Sequence, residues 1–351
     1  MSLPERQRLI LKEIVDRYIR LREPVSSRMI LEEYGLDVSS ATVRNDMNDL
    51  EGHGYIAKPY SSSGRVPTKK GYRFFVDWLL DLSELTRDER HEIVEVYESR
   101  CLDISEAIRQ TAVLLGSLTG YAAFVVPPRW EETRLERVVV LRMAERLVFL
   151  AVVSDIGVIE HGLVPLEEDL SSGEIVHIAE TINHTLRGAS LADVRALAAD
   201  EGPDGWYERP VRHAFLALGR LLEKQMKQRV TFEGMVNLAG ELRAMVPDEA
   251  IDRFTALWQA VKDEDAFVRA LHAARRGGAP NIVINIGDVP LRGLEEFSVI
   301  SYAYRPHSGL IGVIAPTWMD YGRALSTTTY IANRLETLLI TSCTTAFGRM
   351  T

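Results

Sequence analysis

Residues 39–50 constrain the chain more than any other stretch, because only one helical placement makes sense of them. Ser39 stands where an N-cap is expected, and Val43, Met47 and Leu50 fall on a narrow inward stripe at helical spacing. The outward face is then Ser40, Thr42, Arg44, Asn45 and Asn48, short or forked hydrogen-bonding side chains set near the helix N-terminus. Such side chains suit base edges in the major groove, where asparagine can bond adenine through both amide atoms and arginine can bond guanine. A solvated polar face on an ordinary helix uses the same residues, so the neighbouring segments must decide.

Those neighbours form an ordered series. Pro4-Glu5 suits a first helical turn, and Arg6 to Arg22 carries Ile10, Ile14 and Tyr18 with Leu11, Val15 and Ile19 beside them, a broad amphipathic face. Glu23-Pro24 ends that helix, because proline disfavours helical geometry in the residue before it. Ser26 or Ser27 caps a short second helix that ends at Gly35. After the polar helix, His53-Gly54 breaks the chain and Tyr55–Lys58 alternates as a short strand. Residues 61–67 form a loop of small residues with Arg65 at its tip, and Thr68 caps a further helix through Trp78. Helix, helix, turn, polar helix, then a hairpin is the order of a winged helix-turn-helix. In that fold Ser62, Ser63 and Arg65 on the hairpin and Lys69 beyond it reach the DNA backbone, while the helix reads bases. A surface hairpin of no consequence is the competing account of the same loop.

Charge permits this expectation without demanding it. The chain has 351 residues and a formal net charge of −9, but residues 1–80 hold 13 Lys+Arg against 11 Asp+Glu, and residues 39–75 hold 6 against 3. DNA binding needs a local basic face, not a basic protein, and an acidic remainder limits non-specific adhesion.

Several strings in this region resemble the HrcA family of heat-inducible transcription repressors: Ser39 to Met47, Asp49-Leu50-Glu51, Lys58-Pro59, Ser62 to Thr68, and Lys70 to Phe74. Tyr60-Ser61 stands where the resemblance leads one to expect His-Thr. The resemblance implies a homodimer on double-stranded DNA carrying an inverted-repeat operator of CIRCE type upstream of chaperone genes. It also implies that the GroEL chaperonin keeps the repressor active and that heat shock relieves repression. Dimerisation has a physical motive as well, since one recognition helix reads too few base pairs for specificity.

The remainder alternates between helical and strand patterns. Residues 76–118 read as amphipathic helices. Tyr121–Val126, Leu135–Arg142, Arg146–Val153 and Gly157–Val164 read as strands joined by tight breaks. Helical periodicity covers Ser172 to about Leu197, Val211 to about Lys227, Leu238–Met245 and Asp248–Ala274; strands return at Asn281–Gly287, Phe297–Arg305 and Gly309–Ala315, and a last helix spans roughly Asp320–Thr345. The expected fold class is α+β. The expected division is a DNA-binding head at 1–77, a helical connector at 78–119, a sheet domain at 120–165 and 246–351, and an insertion at 166–245. The resemblance makes the sheet domain GAF-like and the largely helical insertion a dimerisation domain. It also aligns Ile311 to Tyr321 with a Gly-Pro-Thr-Arg-Met segment, in which Ala315 and Trp318 replace the expected Gly and Arg.

Little points to chemistry. The eight histidines are scattered, and although His177 and His184 could share a helix face, no carboxylate or cysteine completes a metal set. Cys101 and Cys343 match no ligand spacing, and neither a phosphate loop nor a Gly-x-Ser-x-Gly nucleophile motif is present. The expectation is a non-enzymatic, cytoplasmic protein without cofactor or metal, lacking a secretion signal or membrane span. A small-molecule-gated metabolic regulator with the same DNA-binding head is the alternative.

Overall fold

A computed structural model describes residues 3–34, 39–59, 64–100, 104–128, 133–155, 157–166, 168–190, 192–194, 196, 214, 216–220, 230–275, 281–305 and 309–348. Gly35, Ser62, Ser63, Cys101 and most of the helix expected over 211–227 lie outside the described residues. Among the described residues no helix is long and apolar enough to cross a membrane.

The N-terminal unit follows the sequence pattern closely. Helix α1 (Glu5–Leu21) buries Ile10, Leu11, Ile14 and Val15, and ends where Arg22 adopts left-handed backbone, its N–H bonded to the Tyr18 carbonyl. Helix α2 (Ser27–Tyr34) precedes α3 (Ser40–Gly52), whose N-cap Ser39 accepts from the Thr42 N–H. Strands β1 (Ile56–Ala57) and β2 (Val66–Pro67) pair antiparallel, Ile56 opposite Pro67. Helix α4 (Lys69–Trp78) is capped by Thr68, which accepts from the Gly71 N–H. Glycine is required at Gly71 because a Cβ there would stand 2.1 Å from the Tyr55 carbonyl oxygen. A bidentate pair from Arg6 to Asp46, 2.6 and 3.2 Å, ties α1 to α3.

Beyond the head, α5 (Arg87–Arg100) and α6 (Ile104–Thr119) lead into β3 (Ala122–Val126). Three long strands follow, β4 (Leu135–Ala144), β5 (Leu147–Ser154) and β6 (Gly157–Pro165), then α7 (Ser172–Leu186). The chain continues through β7 (Thr231–Glu233), α8 (Met235–Met245), α9 (Ala250–Lys262) and α10 (Glu264–Ala274). It closes with β8 (Ile282–Ile286), β9 (Phe297–Tyr304), β10 (Gly309–Pro316) and α11 (Tyr321–Gly348).

The strands form two separate sheets in this part of the molecule. One is fully antiparallel with order β7-β3-β10-β9-β8; the other is β4-β5-β6. Every residue of β3 and β10 is buried, which explains their unbroken apolar runs: both faces are covered. Phe124 meets Phe267 of α10 edge-on, with ring centroids 5.2 Å apart, on one face. On the other, Gly116 of α6 lies close to the Ala123 side chain. Across the second sheet, α7 is clipped to β4 by Asn183, whose amide accepts from the Val138 N–H at 2.7 Å and donates to the Val138 carbonyl at 2.8 Å.

This topology moves the expected boundaries. The sequence assigns 120–165 to the sheet domain, but among the described residues β4–β6 form a sheet apart from the five-stranded one; it assigns 166–245 to the insertion, but β7 pairs with β3. The chain therefore leaves the five-stranded sheet after β3 and rejoins it at β7. Periodicity locates strands without naming their partners, and β7, three residues long, is too short to register. Helix α6 packs on β3 and α11 and is part of that layer, not a connector. The single helix expected over Asp248–Ala274 is two, broken at Asp263, whose side chain accepts from the Ala266 N–H to start α10. The helix begun at Ser172 stops at Leu186, before Gly188 at φ 78°.

The head rests on the five-stranded layer. The Arg22 guanidinium donates to the Trp318 carbonyl and, at 3.0 Å, to Glu241, which also accepts from the Trp318 indole at 3.2 Å. Burial raises the Glu241 carboxyl above its ordinary range, and Arg22 and Trp318 act against that rise. Arg73 of α4 donates to the Ile284 carbonyl (2.8 Å) and to Asp288 (3.2 Å). Arg323 of α11 donates to Glu89, and with the Thr86 N–H it lowers that carboxyl to about 2. Between α1, the 80–83 segment and the start of α11 lies a cavity of about 390 Å³ whose lining includes Asp16, Lys12 and Arg20.

Burial pushes the Asp16 carboxyl up to about 6, despite the opposing pull of Lys12 and Arg20. The folded state thus binds this proton at a higher pH than the unfolded chain, so the ionised group weakens the fold most above pH 6 and not at all below its ordinary value. Asp16→Asn is expected to stabilise the protein by about 1–2 kcal/mol at pH 7, allowing for partial solvent screening. The gain should vanish near pH 3.5. Denaturant unfolding at both pH values checks this, and an equal gain at both would show that ionisation is not the cause.

Candidate nucleic-acid interface

Helix α3 presents its polar residues in two kinds of environment. Ser40, Arg44 and Asn45 are exposed and make no side-chain hydrogen bond or ion pair with any described residue. Thr42 is half-buried, its hydroxyl 2.9 Å from the Ser39 hydroxyl within the N-cap. Asn48, one turn beyond Arg44 and Asn45, is exposed, but its Oδ1 accepts from Arg65 at 3.2 Å.

Arg65 is not the free loop-tip cation that its sequence position suggests. Its Nε donates to Glu51 Oε2 at 2.8 Å and its Nη2 lies 2.7 Å from the same oxygen; the side chain is only 13% exposed. Its backbone is fixed as well: N–H and C=O both bond Val25, at 2.8 and 2.9 Å, in an isolated antiparallel bridge. The ribbon is thereby held against both the segment before α2 and the C-terminal half of α3. Gly64 makes this close approach possible, since a Cβ there would stand 2.8 Å from Pro24.

Lys69 is exposed at the start of α4, but faces the sheet layer: its ammonium is 3.7 Å from Glu296, and its end lies against Gly287. Lys70 donates to the His53 carbonyl at 2.7 Å and stands over the Tyr55 ring. The structure therefore brings Ser40, Arg44, Asn45, Asn48 and Arg65 to α3 and its edge, while Lys69 has a partner in another layer.

The acids of this stretch are equally informative. Asp46 takes Arg6 and Gln7, Asp49 takes Gln7 at 3.3 Å, and Glu51 takes Arg65. Each carboxylate between 39 and 75 is thus engaged by a donor inside the head, which limits its repulsion of an approaching anion. Sequence reasoning passes over Glu51, although its position three residues after Asn48 puts both on one helical face. It also passes over Lys58, which is exposed immediately after β1.

Comparison with known proteins bears on the chain as a whole. The family described as HrcA protein C terminal domain matches residues 105–325. The heat-inducible transcription repressor HrcA of Halalkalibacterium halodurans is 32% identical over 96% of this chain and 98% of its own. That of Acetivibrio thermocellus is 30% identical over 96% of each. A crystal structure of a protein described as hypothetical has a TM-score of 0.70 at 26% identity, covering 97% of this chain and 98% of its own. A head built around α3, followed by a layer that matches the family over more than half the chain, identifies this protein as a member of the HrcA family of heat-inducible transcription repressors, which bind DNA and are not enzymes.

Proposed function

We propose that the chain represses chaperone genes as a cytoplasmic homodimer whose two winged helix-turn-helix heads bind an inverted-repeat operator of CIRCE type. In this account α2 and α3 are the helix-turn-helix, α3 lies in the major groove, and the β1–β2 ribbon is the wing. Ser40, Arg44, Asn45 and Asn48 read base edges; Thr42 sets the helix N-terminus; Lys58 and the loop serines Ser62 and Ser63 serve the backbone, whereas Lys69, turned to Glu296, is left out of the contact. The five-stranded layer is the GAF-like domain, and β4–β6 with α7 belong to its insertion. The observation that carries this account is the exposed, unengaged row Ser40, Arg44 and Asn45 at the capped end of α3.

Dimerisation is supported by the second sheet. Leu141, Phe149 and Leu163 lie opposite one another across its three strands, and Leu141, Met143 and Leu163 are more than half exposed. An exposed apolar row of this kind suits a second copy of the same surface. The family resemblance adds the GroEL chaperonin as the partner that maintains the active repressor.

Arg44→Ala and Asn45→Ala should each cost about 1–3 kcal/mol on an inverted-repeat operator and much less on random DNA. Equal losses on both DNAs, measured by fluorescence anisotropy, would remove the base-reading role. Leu141→Glu combined with Leu163→Glu should convert dimer to monomer in sedimentation velocity and lower operator affinity; an unchanged dimer places the interface elsewhere. Added chaperonin should increase operator occupancy in a gel shift, and no change would exclude it as the activating partner.

A further inference from the structure

We propose that Arg65 is a positioning residue, not a DNA ligand: with Glu51 it fixes the carboxamide of Asn48 so that this side chain meets the major groove with its N–H donors. The inference rests on α3 being the recognition helix.

The chemistry of the contact settles which way the amide points. A guanidinium has only donors, so the Asn48 atom 3.2 Å from Arg65 Nη2 must be the oxygen. Arg65 is itself held: Nε and Nη2 both bond one oxygen of Glu51, at 2.8 and 2.7 Å, and the backbone is pinned to Val25 on both sides. The three residues form a chain, Glu51 to Arg65 to Asn48, in which each member orients the next. With its oxygen held by a cation, Asn48 leads with its NH₂ group. That group suits the acceptors of the major groove, purine N7, guanine O6 or thymine O4. It does not suit the paired donor-and-acceptor contact with adenine, which needs the oxygen turned outward as well.

Charge points the same way. Glu51 neutralises Arg65, and the arginine side chain is 13% exposed. To bind a phosphate it would have to leave a two-nitrogen contact with a carboxylate. As a pair the two add no net charge to the surface and displace no counterion. The wing arginine therefore acts on specificity through Asn48, while affinity for the backbone comes from other groups.

The test uses the full-length protein with a labelled inverted-repeat operator and a random duplex, titrated at several salt concentrations. Arg65→Ala and Glu51→Gln are each expected to lower the operator preference about tenfold, as Asn48→Ala does, and to leave the salt slope and random-DNA affinity unchanged. Arg65→Lys should behave like Arg65→Ala, because lysine keeps the charge but cannot bridge Glu51 and Asn48. The double variant Arg65→Ala with Asn48→Ala should be no worse than either single change. Scanning the operator with 7-deazapurines should find a position, if a purine N7 is the acceptor, where wild type loses affinity and Asn48→Ala does not; thymine and guanine acceptors are scanned with 4-thiothymine and 6-thioguanine. The proposal is overturned if Arg65→Ala reduces the salt slope by about one on both DNAs with rescue by lysine, or if Glu51→Gln tightens binding to both, since either marks Arg65 as a phosphate ligand. If instead Arg44→Ala, Asn45→Ala and Asn48→Ala all leave operator preference intact, the recognition-helix assignment itself fails. Glu51→Gln is nearly isosteric, and an unchanged melting temperature in that variant separates positioning from loss of fold.

Discussion

Arg22 is a charged side chain at the end of a helix, three-quarters withdrawn from water, and it can stay there only because Glu241 and the Trp318 carbonyl receive it. A charge so placed costs free energy unless it is paired, and its partner shares the constraint. The pair consequently fixes where α1 ends relative to α8 and the turn after β10. Since α1 also carries Arg6, which holds Asp46 of α3, a continuous series of contacts runs from the sheet layer to the polar face of α3. Trp318, standing where a family arginine is expected, contributes both its carbonyl and its indole to this node.

Polar groups within the head are arranged on one plan. Carboxylates that would repel DNA are spent internally on Arg6, Gln7 and Arg65, and Ser40, Arg44, Asn45 and Asn48, exposed on α3, are neutral or positive. This resolves the contrast between a net charge of −9 and a function on a polyanion. The acidic excess resides in the remainder of the chain, and the acids nearest α3 are structural.

Local features were legible from the sequence because they depend on a few consecutive residues. Ser39 and Thr68 as caps, the break at Glu23-Pro24 and the strands from β3 to β6 and β8 to β10 all fall within a residue or two of their expected places. Partners were not legible, because pairing depends on residues far apart in sequence. Hydropathy cannot tell that β4 to β6 make a sheet of their own or that a three-residue strand joins β3. The interface shows the same division. The row on α3 follows from helical spacing, whereas the turning of Lys69 toward Glu296 and of Arg65 toward Glu51 needs the tertiary fold.

The position of β3 has a consequence for how the molecule is made. Phe124 pairs with Phe232 on one side and Gly312 on the other, so this wholly apolar strand emerges from the ribosome long before either neighbour exists. The head's helices and ribbon, by contrast, draw on contacts within one short stretch of chain and close quickly. During synthesis the nascent polypeptide thus carries an assembled head in front of an unpaired sticky strand, and that interval is when the chain is most exposed to aggregation.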